Sequence, residues 1–138
     1  MVLDTSVVFK WLLNVDEPDS DVAKNILQDF LAGKIEIFVP DFLFIEVANI
    51  LATKSSINEK NIEKSLNFLF SFNLNVYEIT KEVLIEAALL AKKYKEPVYD
   101  ILFLVIANKL NTILVTADSK FFAATKFPHV KLLSEWKK

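Results

Sequence analysis

DILFLVIANKLNTILVTAD, residues 100–118, places two apolar elements back to back. Seven apolar residues, Ile101 to Ala107, follow Asp100 without a break. A helix that is apolar all round is a buried one, so this run reads as a core helix from Asp100 to about Leu110. Thr112–Thr116 then reads as a short buried strand, rich in β-branched residues. A strand that is apolar on both faces belongs to a parallel sheet covered by helices on both sides. In such sheets the ligand crevice lies beyond the C-terminal ends of the strands. Asp118 stands just past that end, and Asp100 stands at the mouth of the core helix.

The same alternation runs through the rest of the chain. Val2–Leu3 reads as a strand ending at Asp4, followed by a helix from Thr5 to about Leu13. Asp16-Glu17-Pro18 reads as the start of a helix, with acids in its first turn and a proline that is tolerated there. Val22, Ala23, Ile26, Leu27, Phe30 and Leu31 have helical spacing, and Gly33 stops the run. Ile35–Val39 reads as a strand, and Pro40-Asp41 opens an apolar helix to about Thr53. Ser56 with Glu59 fits a capping box for a helix ending near Phe72. Leu74–Ile79 reads as a strand, Thr80 caps a helix to about Tyr94, a short helix begins near Ser119, and Val130–Leu133 reads as a last strand. No linker or repeat interrupts the pattern, so residues 1–138 read as one domain.

Composition narrows the chemistry. Hydrophobic residues make up 53% of 138, enough for a sizeable core. No run reaches the eighteen or so uncharged apolar residues of a membrane span, and MVLDTSVV lacks the basic start of a signal peptide; a cytoplasmic location and no membrane partner are expected by default. There is no cysteine and only one histidine, His129. Thiol nucleophiles, zinc–thiolate sites and multi-histidine metal sites are thereby excluded, and His129 itself reads as a surface residue. All sixteen basic residues are lysines, so no bidentate guanidinium is available for phosphate. The net charge of −2 argues against bulk coating of nucleic acid.

Most acids lie on polar helix faces or in first turns. Four have apolar neighbours instead: Asp4 in VLDTSVV, Glu46 in FLFIEVANIL, Asp100 in VYDILFLVIA and Asp118 in LVTADSKFF. Each has a plain structural alternative. Asp4, Asp100 and Asp118 could be helix caps or turn residues, and Glu46 could pair with a lysine. Asn49 lies one turn from Glu46 on the same helix face. Together, the four could converge on one crevice. Two unit charges about 4 Å apart repel by about 4 kcal/mol at an effective dielectric of 20, so a cluster of four ionised acids calls for a cation. Oxygen donors without histidine or cysteine point to Mg²⁺ or Mn²⁺.

On these motifs the chain resembles the PIN-domain ribonucleases of the VapC-like toxin type. The ordered set VLDTSVV, PDFLFIEVANIL, VYDILFLVIA and LVTADSKFF, spanning nearly the whole chain, carries the resemblance. It implies a three-layer α/β/α fold with a central five-stranded parallel sheet. It implies an Mg²⁺- or Mn²⁺-dependent endoribonuclease leaving 5′-phosphate and 3′-hydroxyl ends, acting on RNA as a homodimer, and often a small antitoxin protein that blocks the acidic pocket. Asp4, Glu46, Asp100 and Asp118 match the family's acidic quartet, and Ser6 and Thr116 its supporting hydroxyls. Asp4, Asp100 and Asp118 are then the expected metal ligands, with Glu46 acting through water. Many relatives carry an arginine near the site and this chain has none; Lys10 or Lys120 could stand in. Trp11, Phe70 and Phe72 read as core or dimer contacts. The apolar excess between Phe42 and Phe72 suggests the dimer interface. Two other classes compete: a catalytically weak PIN module that binds RNA or a protein partner, and a phosphoryl-transfer receiver domain. The receiver domain is disfavoured because Leu74–Ile79 ends in Thr80 and Lys81, not in an acceptor aspartate.

Overall fold

The computed structural model describes residues 1–12, 17–54 and 56–136. Its strands are β1 (Val2–Leu3), β2 (Phe38–Pro40), β3 (Asn75–Tyr77), β4 (Leu114–Thr116) and β5 (Val130–Leu132). Its helices are α1 (Thr5–Phe9), α2 (Ser20–Leu31), α3 (Phe42–Thr53), α4 (Glu59–Ser71), α5 (Lys81–Tyr94), α6 (Val98–Lys109) and α7 (Ser119–Thr125), with a one-turn 3₁₀ helix at Leu133–Glu135. The strands form one sheet in the order β3-β2-β1-β4-β5, and every pairing is parallel. Helices flank it, as a three-layer α/β/α arrangement requires.

The strand order explains where a site can form. The chain starts in the middle strand, builds outward through β2 and β3, then crosses back to place β4 on the other side of β1. Val2 lies opposite both Phe38 and Leu114. The order therefore reverses at β1, and a crevice opens where connections leave in opposite directions. α6 is the element that makes the crossing. All of Ile101 to Ala107 are buried, with at most 4% exposed, and α6 packs on β1, β2 and β4. Its apolar sequence is the consequence of lying between the sheet and α5.

Several expected boundaries shift, each for a local reason. α6 begins at Val98, so Asp100 is its third residue and not its cap. Pro97 fixes an extended backbone (φ −58, ψ 144) immediately before the helix, and the helix starts as soon as that constraint ends. α4 begins at Glu59, because Asn58 accepts from the Asn61 N–H at 3.0 Å. Asparagine caps as well as serine, so the box expected from Ser56 does not form. α1 stops at Phe9; Leu13 lies outside the described residues. α2 begins at Ser20, since Asp19 holds a left-handed backbone (φ 62) that ends the preceding turn; Asp16 lies outside the described residues. β2 and β3 are shorter than Ile35–Val39 and Leu74–Ile79 suggested, and β2 ends at Pro40.

Trp11 and Phe72 are buried and meet edge to face at 5.7 Å. Phe70 is not in the core: it is 55% exposed and stacks on Phe44 at 5.0 Å. His129 is not a surface residue either. It is half-buried beside Phe127, and its Nε2 is enclosed without a hydrogen-bond partner among the described residues.

As a core anchor, α6 is sensitive to truncation at its buried positions. Leu104→Ala, at a fully buried position, costs about 2–5 kcal/mol in urea denaturation. Leu89→Ala, on a helix face 67% exposed, stays within about 0.5 kcal/mol of wild type.

Candidate active site

Asp4 leaves β1 and caps α1. Its Oδ1 accepts from the Ser6 N–H at 2.7 Å, the Val7 N–H at 3.4 Å and the Ser6 hydroxyl. Its Oδ2 accepts from the hydroxyl of Thr116, a fully buried residue of β4. The hydroxyls pass the contact on. Ser6 Oγ accepts from the Ala117 N–H at 2.9 Å, and Thr116 Oγ1 accepts from the Asp118 N–H at 3.0 Å. Asp118 caps α7 through its Oδ1, which accepts from the Lys120 and Phe121 N–H groups at 2.8 and 3.0 Å. The capping alternatives for Asp4 and Asp118 are thus real, and they do not compete with a functional role. A cap is what fixes each carboxylate at a strand end.

Glu46 comes from the middle of α3, with its Oε2 accepting from the Thr5 hydroxyl. Asp100 comes from the first turn of α6. All four acids line one open cleft of ≈ 290 Å³ together with Thr5, Ser6, Asn49, Ile50, Phe103 and Phe121. Asn49 makes no side-chain bond to Glu46. Thr116 does not line the cleft; it is fully buried and reaches it only through its bond to Asp4. Lys10 is paired with Glu17 at 3.5 Å, and neither it nor the exposed Lys120 lines the cleft. Thr5 was not singled out by sequence reasoning. Its signal was available in the DTS triplet, where two hydroxyls follow the first acid, but one sequence cannot say that the nearer one faces a residue 41 positions away.

The electrostatics are those of an unneutralised cluster. Burial raises the pKa of Asp4 above the usual carboxylate range, although hydrogen bonds from Ser6, Thr116 and Val7 oppose it. Burial also raises Glu46; the Thr5 hydroxyl pulls it down and the Asp4 charge pushes it up. Asp100 rises to about 6, first through burial and then through the charges of Asp4, Glu46, Asp118 and Glu96. No ion pair among the described residues involves any of the quartet.

This donor set suits a hard divalent cation in its chemistry: carboxylate oxygens, mutual repulsion and, among the described residues, no protein cation. It is not a closed cage, for no group of three acids among the described residues is set to hold an ion unaided. Mg²⁺ tolerates this, because it keeps several waters and needs only one or two protein carboxylates.

The raised pKa of Asp100 has a defined sign in stability. The folded protein holds this proton more tightly than the unfolded chain, whose pKa is near 3.8. Between pH 4 and 6 the folded state therefore carries more protons, and its stability falls as pH rises. In metal-free protein the Tm of Asp100→Asn should match wild type near pH 4, exceed it increasingly up to about pH 6, and keep that lead at higher pH. A Tm difference that is constant across this range contradicts the electrostatic account.

Comparison with known proteins bears on the family and the fold. The PIN domain family model matches residues 1–127. A toxin–antitoxin complex from Klebsiella pneumoniae superposes with a TM-score of 0.70 at 18% identity, covering 96% of both chains. The sarcin–ricin-loop-cleaving toxin VapC20 of Mycobacterium tuberculosis gives 0.69 at 16% identity, covering 90% of this chain and 94% of its own. A FitAcB structure from Neisseria gonorrhoeae gives 0.64 at 16% identity, covering 98% and 99%. A comparison with curated proteins finds none that matches. Identities this low speak to the fold alone, but the family model spans most of the chain: it belongs to the PIN domain family.

Proposed function

We propose that this chain is a metal-dependent endoribonuclease that hydrolyses RNA phosphodiester bonds, acting as the toxin of a toxin–antitoxin pair. The observation that carries the reading is the convergence of Asp4, Glu46, Asp100 and Asp118 on one cleft, with no protein cation beside them among the described residues. Family membership supports the nuclease class, and a toxin–antitoxin complex and a toxin among structures of the same fold support the toxin role.

In this reading Asp4, Asp100 and Asp118 hold Mg²⁺ or Mn²⁺, directly or through water. A bound divalent ion supplies Lewis-acid polarisation of the phosphate and lowers the pKa of water. Glu46 accepts the proton of the attacking water. Its raised pKa brings it closer to the operating pH, where a general base works best. Ser6 and Thr116 keep Asp4 fixed while charge builds on the phosphate, and Asn49 stands beside Glu46 as a donor for substrate. Cleavage leaves a 5′-phosphate and a 3′-hydroxyl. An antitoxin segment that enters the cleft blocks all four acids at once. Ile45 on α3 (71% exposed) and Phe68 and Phe70 on α4 are exposed apolar side chains, and they are the candidates for a homodimer contact. A location in the cytoplasm follows from such a substrate.

A second reading, a PIN module that binds RNA or a protein partner with little cleavage, draws on the open arrangement of the acids and the absence of arginine. One assay separates the two. Incubated with structured RNAs, the protein should cleave with Mn²⁺ or Mg²⁺ and stop in EDTA. Asp4→Asn and Asp118→Asn should each lose at least ~100-fold, as removal of a key transition-state contact does. Both ions should raise the wild-type Tm. Light scattering on the same sample should give twice the chain mass, and one chain mass at micromolar concentration rejects the dimer. Cleavage unchanged in both variants ends the nuclease reading.

A further inference from the structure

We propose that Thr5 is a positioning residue whose hydroxyl fixes the Glu46 carboxylate in the cleft; this rests on the nuclease reading for Glu46. Thr5 is the first residue of α1 and only 9% exposed. A threonine within a helix usually satisfies its hydroxyl on a carbonyl of the preceding turn. At the first helical position there is no preceding turn, so a buried hydroxyl must find its partner elsewhere. It finds Glu46 Oε2, on a different helix and 41 residues further on.

Glu46 depends on that contact. It has three side-chain torsions and no lysine partner among the described residues. Its Oε2 takes its only hydrogen bond from Thr5, and Oε1 takes none among the described residues. A glutamate with that freedom loses rotamer entropy when it is held for reaction, and the Thr5 bond settles that loss before substrate arrives. Both ends of the bond are rigid. α1 packs on α3, with Val7 and Val8 fully buried on one helix and Leu43 and Val47 on the other.

The triplet DTS therefore has a division of labour. Successive helix residues point roughly 100° apart. Ser6 turns back to Asp4, while Thr5 turns across to Glu46. One short turn sets the distance between the first acid and the acid opposite it. Loss of the Thr5 hydroxyl leaves every carboxylate of the quartet in place and frees only the orientation of Glu46.

The test compares Thr5→Val, which keeps the branched shape and removes the hydroxyl, with Thr5→Ser, which keeps the hydroxyl. Against an RNA that the wild type cleaves with Mn²⁺, Thr5→Val should lower kcat about 10- to 100-fold, the range for removing a supporting hydrogen bond at a metal site. KM should change less than about twofold, and Thr5→Ser should keep most of the wild-type kcat. Thr5→Val at wild-type kcat, or an equal loss in Thr5→Ser, overturns the inference. A second measurement needs no cleavage. In metal-free protein, Thr5→Val should lower Tm clearly when Glu46 is present and much less in a Glu46→Met background. Additive Tm shifts overturn the Thr5–Glu46 link itself. A wild type that cleaves nothing while the Tm shifts stay non-additive removes the nuclease reading and with it the catalytic purpose of the link.

Discussion

The Asp4 carboxylate joins two parts of the chain that are more than one hundred residues apart. Its Oδ1 is held within its own turn by Ser6, and its Oδ2 is held by Thr116 from the neighbouring strand. Such bonds to a charged acceptor are among the stronger hydrogen bonds in a protein. The tie does more than hold Asp4. The same threonine accepts from the Asp118 N–H, so the position of a second acid is set by the hydroxyl that fixes the first. The parallel pairing of β1 with β4 is what brings these groups together.

The cost of the arrangement is electrostatic. Burial raises the pKa values of Asp4, Glu46 and Asp100, and the charges of neighbouring acids raise Glu46 and Asp100 further. A fold whose only aim was stability would avoid this, because strongly perturbed carboxylates in a cleft mark functional sites more often than structural ones. The cost is met by the core. α6 is buried along seven consecutive residues and holds Asp100 in its first turn at the rim of the cleft. The apolar run and the acid before it are one device: the first provides the rigidity that the second needs.

Much of this was legible in the sequence. The greasy run after Asp100 and the strand before Asp118 fixed the α/β class, since neither could be anything but buried. The four acids stood out because each broke an apolar context, and the fold brings all four to one cleft. What escaped was what depends on the exact placement of backbone. Asp100 seemed to start its helix, but the proline constraint ends two residues earlier. Ser56 seemed to be a cap, but Asn58 is the nearer one. His129 seemed to be exposed, but its ring lies against Phe127. The DTS triplet shows a hydroxyl at Thr5, but its partner 41 residues away has no local pattern. Among the described residues, no lysine lines the cleft in place of the missing arginine.

A nuclease of the proposed kind requires the quartet to be a cation site. Crystals soaked in Mn²⁺ and measured at the manganese absorption edge test it most directly. The account predicts an anomalous peak in the cleft, with oxygen atoms of Asp4, Asp100 or Asp118 within about 2.0–2.5 Å or bridged by water, in the range for hard divalent ions on oxygen ligands. A cleft without such a peak at millimolar Mn²⁺, or a peak only elsewhere on the molecule, would contradict it.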